Sequence, residues 1–417
     1  MASGILRGAL APRSASLAAA AAAALLAPLA AGATAASDHA PVLVRGLARA
    51  LRTPLLSPRE SAAVAVDLAT GRTLFARNPD LALEPASNEK LAVAYGALLE
   101  LGPDYRFRTA VLGEGRREGS VWVGRLVLKG YGDPTLATSG LERLARKLAG
   151  LGIRRVTGAI VGDDSWFDRR WTAPGWRPDF YGVESAPLSA LVVDRGLRAG
   201  RLVRDPALAA AALFDRILRR LGVQAGSAVR GAARPGAQPL ATIRSQRLAL
   251  LLRLMDADSD NFVAECVLKE IGAEVDGVGS TAAGAAVVRR DLLAAGVPLA
   301  GVRIVDGSGL SRLDRATARE LAALLLLCWR TPALHAVVRD SLAVAGETGT
   351  LEHRLVGPGT RGVVRGKTGT TDVASALSGY VGSRYAFSLL ENGHPVDWSA
   401  AHAVQDAFVR RLALTPQ

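Results

Sequence analysis

Apolar and polar positions alternate in the stretch SAAVAVDLATGRTLFARNPD from residue 61, and the two runs meet at Thr70-Gly71. Period-two alternation broken by a turn-forming pair predicts a β-hairpin. Residues 88–101 then repeat their apolar positions every three to four residues, which predicts a helix. From 107 to 243 the texture changes to short valine-rich runs divided by Gly, Asp and Pro, as in RTAVLGEG, RLVLKGYGDP and AIVGDDSWFD, with one helical pattern at 205–222. Alanine- and leucine-rich helical patterns return at 245–257, 262–272, 281–296 and 316–330. Three strand-like runs follow, GVVRGKTG, ASALSGYVG and YAFSLLENG, and a final helix is expected at 399–413. No internal repeat is evident. The pattern predicts a separate unit over 107–243, set between two stretches that belong together, 37–106 and 244–417.

Length and composition fit that division. With 417 residues, 49% of them hydrophobic, the chain can bury more than one core, and two or three domains are expected. The first 36 residues read differently: Arg7 and Arg13 precede the apolar run LAAAAAAALLAPLAAG, and ATAAS offers a small-x-small cleavage site near Ala35. That is the pattern of an export signal, with a retained membrane anchor as the alternative. No cysteine follows the apolar run to carry a lipid, and no later run reaches the roughly 18 apolar residues of a spanning helix.

The formal charge is +13, or about +11 without the two leader arginines. The arginines are scattered through apolar segments and not interleaved with aromatics, which argues against nucleic acid and fits an anionic wall polymer. Cys266 and Cys328 both lie in helical apolar segments and read as buried thiols, a disulfide in an oxidising compartment being the alternative. The five histidines form no H-E-x-x-H, and no G-x-S-x-G elbow is present, so zinc-peptidase and α/β-hydrolase chemistries lack their parts. Nothing in the chain requires a metal or a cofactor. The pair Asp163-Asp164 is read as turn-capping.

The lysines change the picture. Of 51 basic residues only five are lysine: Lys90, Lys129, Lys147, Lys269 and Lys367. In so arginine-rich a chain a lysine is a candidate for what a guanidinium cannot do, which is to give up its proton. Lys90 stands three residues after Ser87 where a helix is expected to begin, so hydroxyl and amine share a face. By itself Ser-x-x-Lys is too short to separate this from a capping serine and a solvated lysine. Two further groups sharpen it: Ser259-Asp260-Asn261 before a helical segment, and Lys367-Thr368-Gly369 on an apolar strand.

Ser-x-x-Lys, Ser-x-Asn and Lys-Thr-Gly in this order resemble the signature of penicillin-binding proteins and serine β-lactamases. The contexts GDPTL (132–136), GDDSWFD (162–168), SAPLSAL (185–191), DGSGLSR (306–312) and AGETGTL (345–351) resemble those of the class C low-molecular-mass penicillin-binding proteins, the D-alanyl-D-alanine carboxypeptidases and endopeptidases. The likeness extends over nearly all of the chain after the leader. About 170 residues separate Ser87 from Ser259, room for the inserted domain that family carries.

The resemblance implies an α+β, multi-domain fold, with a β-lactamase/transpeptidase-like catalytic domain, an antiparallel sheet flanked by helices, and a large, mostly β inserted domain. It implies an exported enzyme acting on peptidoglycan stem peptides and acylated by β-lactams. Ser87 would be the nucleophile and Lys90 its base. Ser259 would relay a proton, Asn261 would hold a substrate amide, and Lys367, Thr368 and Thr370 would receive the terminal carboxylate. Gly369 would let the strand approach the substrate, and the backbone N–H groups of Ser87 and Thr370 would form the oxyanion hole. For DGSGLSR a tight structural turn is expected, and for Asp260 a local role in the fold. Glu89 departs from the uncharged residue usual between serine and lysine; it would either face solvent or shift the electrostatics of the site. A serine β-lactamase and a non-catalytic wall-binding protein on the same scaffold are the alternatives.

Overall fold

The computed structural model describes residues 39–415; the expected leader, residues 1–36, lies outside them. In chain order the first elements are α1 (His39–Ala50), β1 (Ser61–Asp67), β2 (Thr73–Arg77) and α2 (Lys90–Glu100). The hairpin between β1 and β2 turns where Asp67 Oδ1 accepts from the amide and hydroxyl of Thr70. The insertion contributes β3 (Arg108–Glu118), β4 (Val121–Gly130), α3 (Thr138–Gly150), β5 (Arg155–Val156) and β6 (Ile160–Asp163). It continues with β7 (Leu197–Arg198), β8 (Arg201–Leu202), α4 (Pro206–Arg220), β9 (Ala228–Arg230) and β10 (Gln238–Arg244).

The remaining chain forms α5 (Leu248–Asp256), α6 (Asn261–Asp276), α7 (Thr281–Ala294), α8 (Ala318–Arg330) and α9 (Pro332–Ser341). Four strands and a helix close it: β11 (Ala343–Val344), β12 (Val364–Thr370), β13 (Ala374–Val381), β14 (Tyr385–Asn392) and α10 (Trp398–Ala413).

The first and last stretches build one antiparallel sheet in the order β11-β12-β13-β14-β1-β2. Its inner strands β1, β13 and β14 are buried on both faces, and their alternation sends neighbouring residues into different cores. Ala62, Val64 and Val66 of β1 join Ala386 and Leu390 of β14 in a cluster with α2 and α5–α8. Ala63 and Ala65 join Phe387 and Leu389 in a second cluster, with Leu43 and Leu47 of α1 and Phe408 and Leu412 of α10. Helices therefore cover both sides of the sheet, as expected.

The insertion has its own sheet, β10-β3-β4-β6-β9, with β5 beside β4. The β3–β4 and β3–β10 pairings are antiparallel, whereas β4–β6 and β6–β9 are parallel. Parallel neighbours need crossovers, and α3 and α4 supply them. Strand outweighs helix here, but α3 was not expected. Its apolar residues Leu141, Leu144, Ala145 and Leu148 recur at helical spacing and pack with Phe214 and Leu218 of α4 over the sheet. Also unexpected are α1 and α9, the latter starting at Pro332 directly after α8.

A third contact zone lies between the units. Phe167, Ala186, Leu188 and Val192 of the insertion bury Phe262 and Cys266 of α6. Both cysteines are free and buried, so no disulfide joins them.

Candidate active site

Ser87 lies in a single 3₁₀ turn, Ala86–Glu89, that runs directly into α2. Its hydroxyl caps nothing in the helix. It is instead 2.8 Å from Lys90 Nζ, a bond the Ser-x-x-Lys spacing allows. Two other segments converge on the same amine: Asn261 Oδ1 accepts from it at 2.8 Å and the Ser308 carbonyl at 2.6 Å. Across the cleft Lys367 Nζ donates to Ser259 Oγ at 2.8 Å and to the Thr368 carbonyl at 2.8 Å. Thus Ser87, Lys90, Asn261, Ser259 and Lys367 form one small polar constellation. Thr368 is bonded to Thr350 (2.8 Å between hydroxyls), and Thr370 ends β12 exposed at the rim.

Both lysines are fully buried, and among the described residues no carboxylate bonds to either one. Burial pushes the Lys90 ammonium down to about 8, against the opposing pull of Asp306 and Glu265. Lys367 is driven well below the usual lysine range by burial and then by the charge of Lys90. Two buried cations close together disfavour each other, so a neutral amine within reach of Ser87 is accessible near neutral pH.

Glycine brings the parts together at two places. At Gly309, where φ is +79°, a Cβ would lie 1.8 Å from the Ala86 carbonyl oxygen, so only glycine lets the 306–312 turn support the nucleophile turn. At Gly369 a Cβ would meet the Pro85 carbonyl oxygen at 2.8 Å and Asn88 Nδ2 at 3.0 Å. The missing side chain of Gly369 admits the Ser87 turn against β12, which Asn88 Nδ2 further ties to the Lys367 carbonyl.

Sequence reasoning missed what holds the Ser308 carbonyl in place. Glu265 Oε1 accepts from the amides of Gly307 and Ser308 at 2.8 and 2.9 Å, and Asp306 accepts from Gly309, Ser311, the Ser308 hydroxyl and the Trp176 indole. Glu265 lies four residues after Asn261 on α6, so one helix face carries both a direct Lys90 contact and the clamp on another. That spacing was the available signal. Asp260 caps α6 at the Val263 amide, the local role expected, and beyond it pairs with Arg195 of the insertion. Asn261 Nδ2 donates to the Glu184 carbonyl, also of the insertion, at 3.0 Å.

Glu89 is buried, not solvent-facing. Burial raises its pKa well above the carboxylate range, and Glu320, Asp306 and Glu265 push the same way. Asp163 and Asp164 sit in the insertion bonded to Lys129, Ser189 and Arg230, which are structural contacts. Among the described residues, no group of three or more His, Cys, Asp or Glu is arranged to hold a metal.

The model of the family described as D-Ala-D-Ala carboxypeptidase 3 (S13) matches residues 43–200 and 196–415. The chain belongs to that family. Among S13 relatives, a D-alanyl-D-alanine carboxypeptidase of Actinomadura sp. (strain R39) is 34% identical, over 87% of this chain and 83% of that protein. Carboxypeptidase DacB of Mycolicibacterium smegmatis is 31% identical, over 84% and 80%. In fold the S13 chain is similar to the crystal structure of penicillin binding protein 4 (dacB) from Haemophilus influenzae, with a TM-score of 0.80 at 22% identity, covering 89% of this chain and 99% of that one.

Proposed function

We propose that this D-Ala-D-Ala carboxypeptidase works through an acyl-enzyme on Ser87, cleaving peptidoglycan stem peptides that end in D-Ala-D-Ala. The observation that carries the reading is the buried Lys90 amine, 2.8 Å from the Ser87 hydroxyl and held by neutral oxygens alone. A neutral Lys90 takes the Ser87 proton as the oxygen bonds to the scissile carbonyl carbon. The backbone N–H groups of Ser87 and Thr370 receive the oxyanion, an interaction worth about 3 kcal/mol per donor. As the intermediate collapses, the C–N bond breaks and Ser259, hydrogen-bonded to Lys367, passes a proton to the leaving D-alanine nitrogen and receives in its place the proton that Lys90 took, which leaves Lys90 neutral again. Asn261 holds a backbone amide of the substrate. Lys367 with Thr368 and Thr370 draws the terminal carboxylate into the cleft. Lys90 then takes a proton from water as the water oxygen bonds to the ester carbon, and gives that proton to Ser87 as the ester C–O bond breaks.

β-Lactams present a similar acyl group and are trapped at the same oxygen. The leader expected over residues 1–36 supports a location outside the membrane, and the charge of about +11 that remains without its two arginines favours association with anionic wall polymers.

Intact-mass measurement of the mature protein with penicillin, in wild type and Ser87→Ala, alongside D-alanine release from a stem peptide, tests this. A long-lived adduct that vanishes in the variant, together with D-alanine release, is expected. Fast adduct turnover without peptide cleavage would instead indicate a β-lactamase, and no adduct would indicate a silent binding protein.

A further inference from the structure

At the junction of insertion and catalytic unit lies a groove of about 330 Å³. Arg106, Arg143 and Arg244 line it, with Thr135, Ser139 and Gln246 between them. The walls come from four places: the two chain crossings between the units, the loop after β4 and the first two turns of α3. All three arginines are exposed, and among the described residues none makes an ion pair within 4.0 Å. Arg106 is fixed in the wall by a 2.8 Å bond to the Ser245 carbonyl.

Elsewhere in the insertion some arginines are ion-paired, as Arg125 with Glu114, Arg230 with Asp164 and Arg177 with Asp179; what sets the groove apart is that three unpaired ones line one concavity. The lone acidic residue of the lining, Asp133, is buried and accepts from the amide and hydroxyl of Thr135. Three guanidiniums against the single carboxylate of Asp133, which feels the charge of Arg143, leave an excess of positive potential in the concavity. Their planar forks match the oxygens of carboxylates and phosphates.

The groove is tied to the catalytic cleft. Asp194 donates its amide to the Leu136 carbonyl in the groove wall and its carboxylate accepts from Thr138, while the next residue, Arg195, pairs with Asp260 between Ser259 and Asn261. Helix α5, roughly 14 Å long at about 1.5 Å per residue, leads from Gln246 toward Ser259.

We propose that the groove binds an anionic group, phosphate or carboxylate, carried by the cell-wall polymer whose stem peptide is presented to Ser87. The proposal rests on the peptidoglycan reading above, since it supplies the same polymer with a second point of attachment. A tethered second contact raises the local concentration of scissile peptide at the nucleophile. It acts on polymeric substrate and leaves a short soluble peptide unaffected.

The test compares the mature full-length enzyme with Arg143→Gln/Arg244→Gln, which leaves Arg106 and its wall contact in place. Co-sedimentation with purified sacculi should weaken by roughly tenfold or more at low salt, with a shallower salt dependence. The rate of penicillin adduct formation should be unchanged, which shows a folded cleft. Arg143→Lys/Arg244→Lys should recover part of the binding and gives a second reading should the glutamine pair fold poorly. Sacculi stripped of phosphate polymers by acid separate the sources: a difference between wild type and variant that disappears identifies phosphate, and one that persists identifies peptidoglycan carboxylates. Equal sedimentation of wild type and glutamine variant, with adduct formation intact in both, would overturn the proposal. If penicillin fails to label even the wild type, the mechanism falls, while the sedimentation comparison still reads the groove.

Discussion

Two buried lysines occupy neighbouring regions of this enzyme and do different work. Lys90, behind the cleft, and Lys269, in the seam between α6 and the insertion, are both 0% exposed. Lys269 Nζ lies 2.5 Å from a carboxylate oxygen of Asp168 and is bonded to the Arg170 carbonyl, so its charge is matched and it fastens the insertion down. The hydrogen-bond partners of Lys90 among the described residues are a hydroxyl, an amide oxygen and a carbonyl. Burial is the same, and the difference lies in whether a counter-charge is in contact. Matched, a buried ammonium is a strut; unmatched, it is pressed toward giving up its proton.

Substitution separates the two roles most sharply. Lys90→Arg keeps the charge and cannot release a proton, so acylation should fall by about 10² to 10⁴-fold with stability less affected; penicillin labelling rates measure it. Lys269→Met should do the opposite. It strands Asp168 and should lower stability by about 3 kcal/mol, as read by thermal unfolding, with near-normal labelling of the molecules that remain folded. If Lys269→Met slowed labelling as much as Lys90→Arg, the contrast would collapse.

Gly309→Ala probes the cleft alone. Its Cβ would press on the Ala86 carbonyl at a positive φ, so it should cost about 1 to 3 kcal/mol of stability and slow acylation by displacing the nucleophile turn. Labelling slowed beyond what the unfolded fraction explains is the expected result.

A smaller change comes from pH. Because Lys90 acts when neutral and titrates near 8, the acylation rate should climb between about pH 7 and 9, and a flat profile would remove it as the base. Stability should move the other way. Glu265, Glu320 and Glu391 are buried with pKa raised to about 8, above their unfolded value of 4.5. Their contribution is present in full below the unfolded value and is lost as pH rises through about 8, so the melting temperature should fall between pH 5 and 8.

Much of this cleft was legible in the residue types. Lysine where the chain elsewhere writes arginine marked Lys90 and Lys367, period-two alternation marked the β1–β2 hairpin, and short strand-like runs marked β12, β13 and β14. The seam was hardly legible. Trp166, Asp168 and Leu188 meet α6 through irregular chain with no periodicity to read, and α3 lay hidden in a stretch whose neighbours are strands. Glu265 escaped because a buried carboxylate that binds two backbone amides resembles, in sequence, any other helical glutamate. At Gly369 the sequence shows that a side chain is missing, and the fold adds that the Ser87 turn lies against it.

The two crossings between the units run side by side, Arg108 opposite Arg244 at the edge of paired strands β3 and β10. A chain that leaves and returns at adjacent points could be cut there and rejoined by a few residues, so topologically the insertion is a cassette. Chemically it is not detachable. Its 164–196 stretch folds back to place the Glu184 carbonyl on Asn261, Arg195 on Asp260 and the Trp176 indole on Asp306. Excising the cassette would spare the backbone path of the catalytic unit and strip one wall from its reaction chamber.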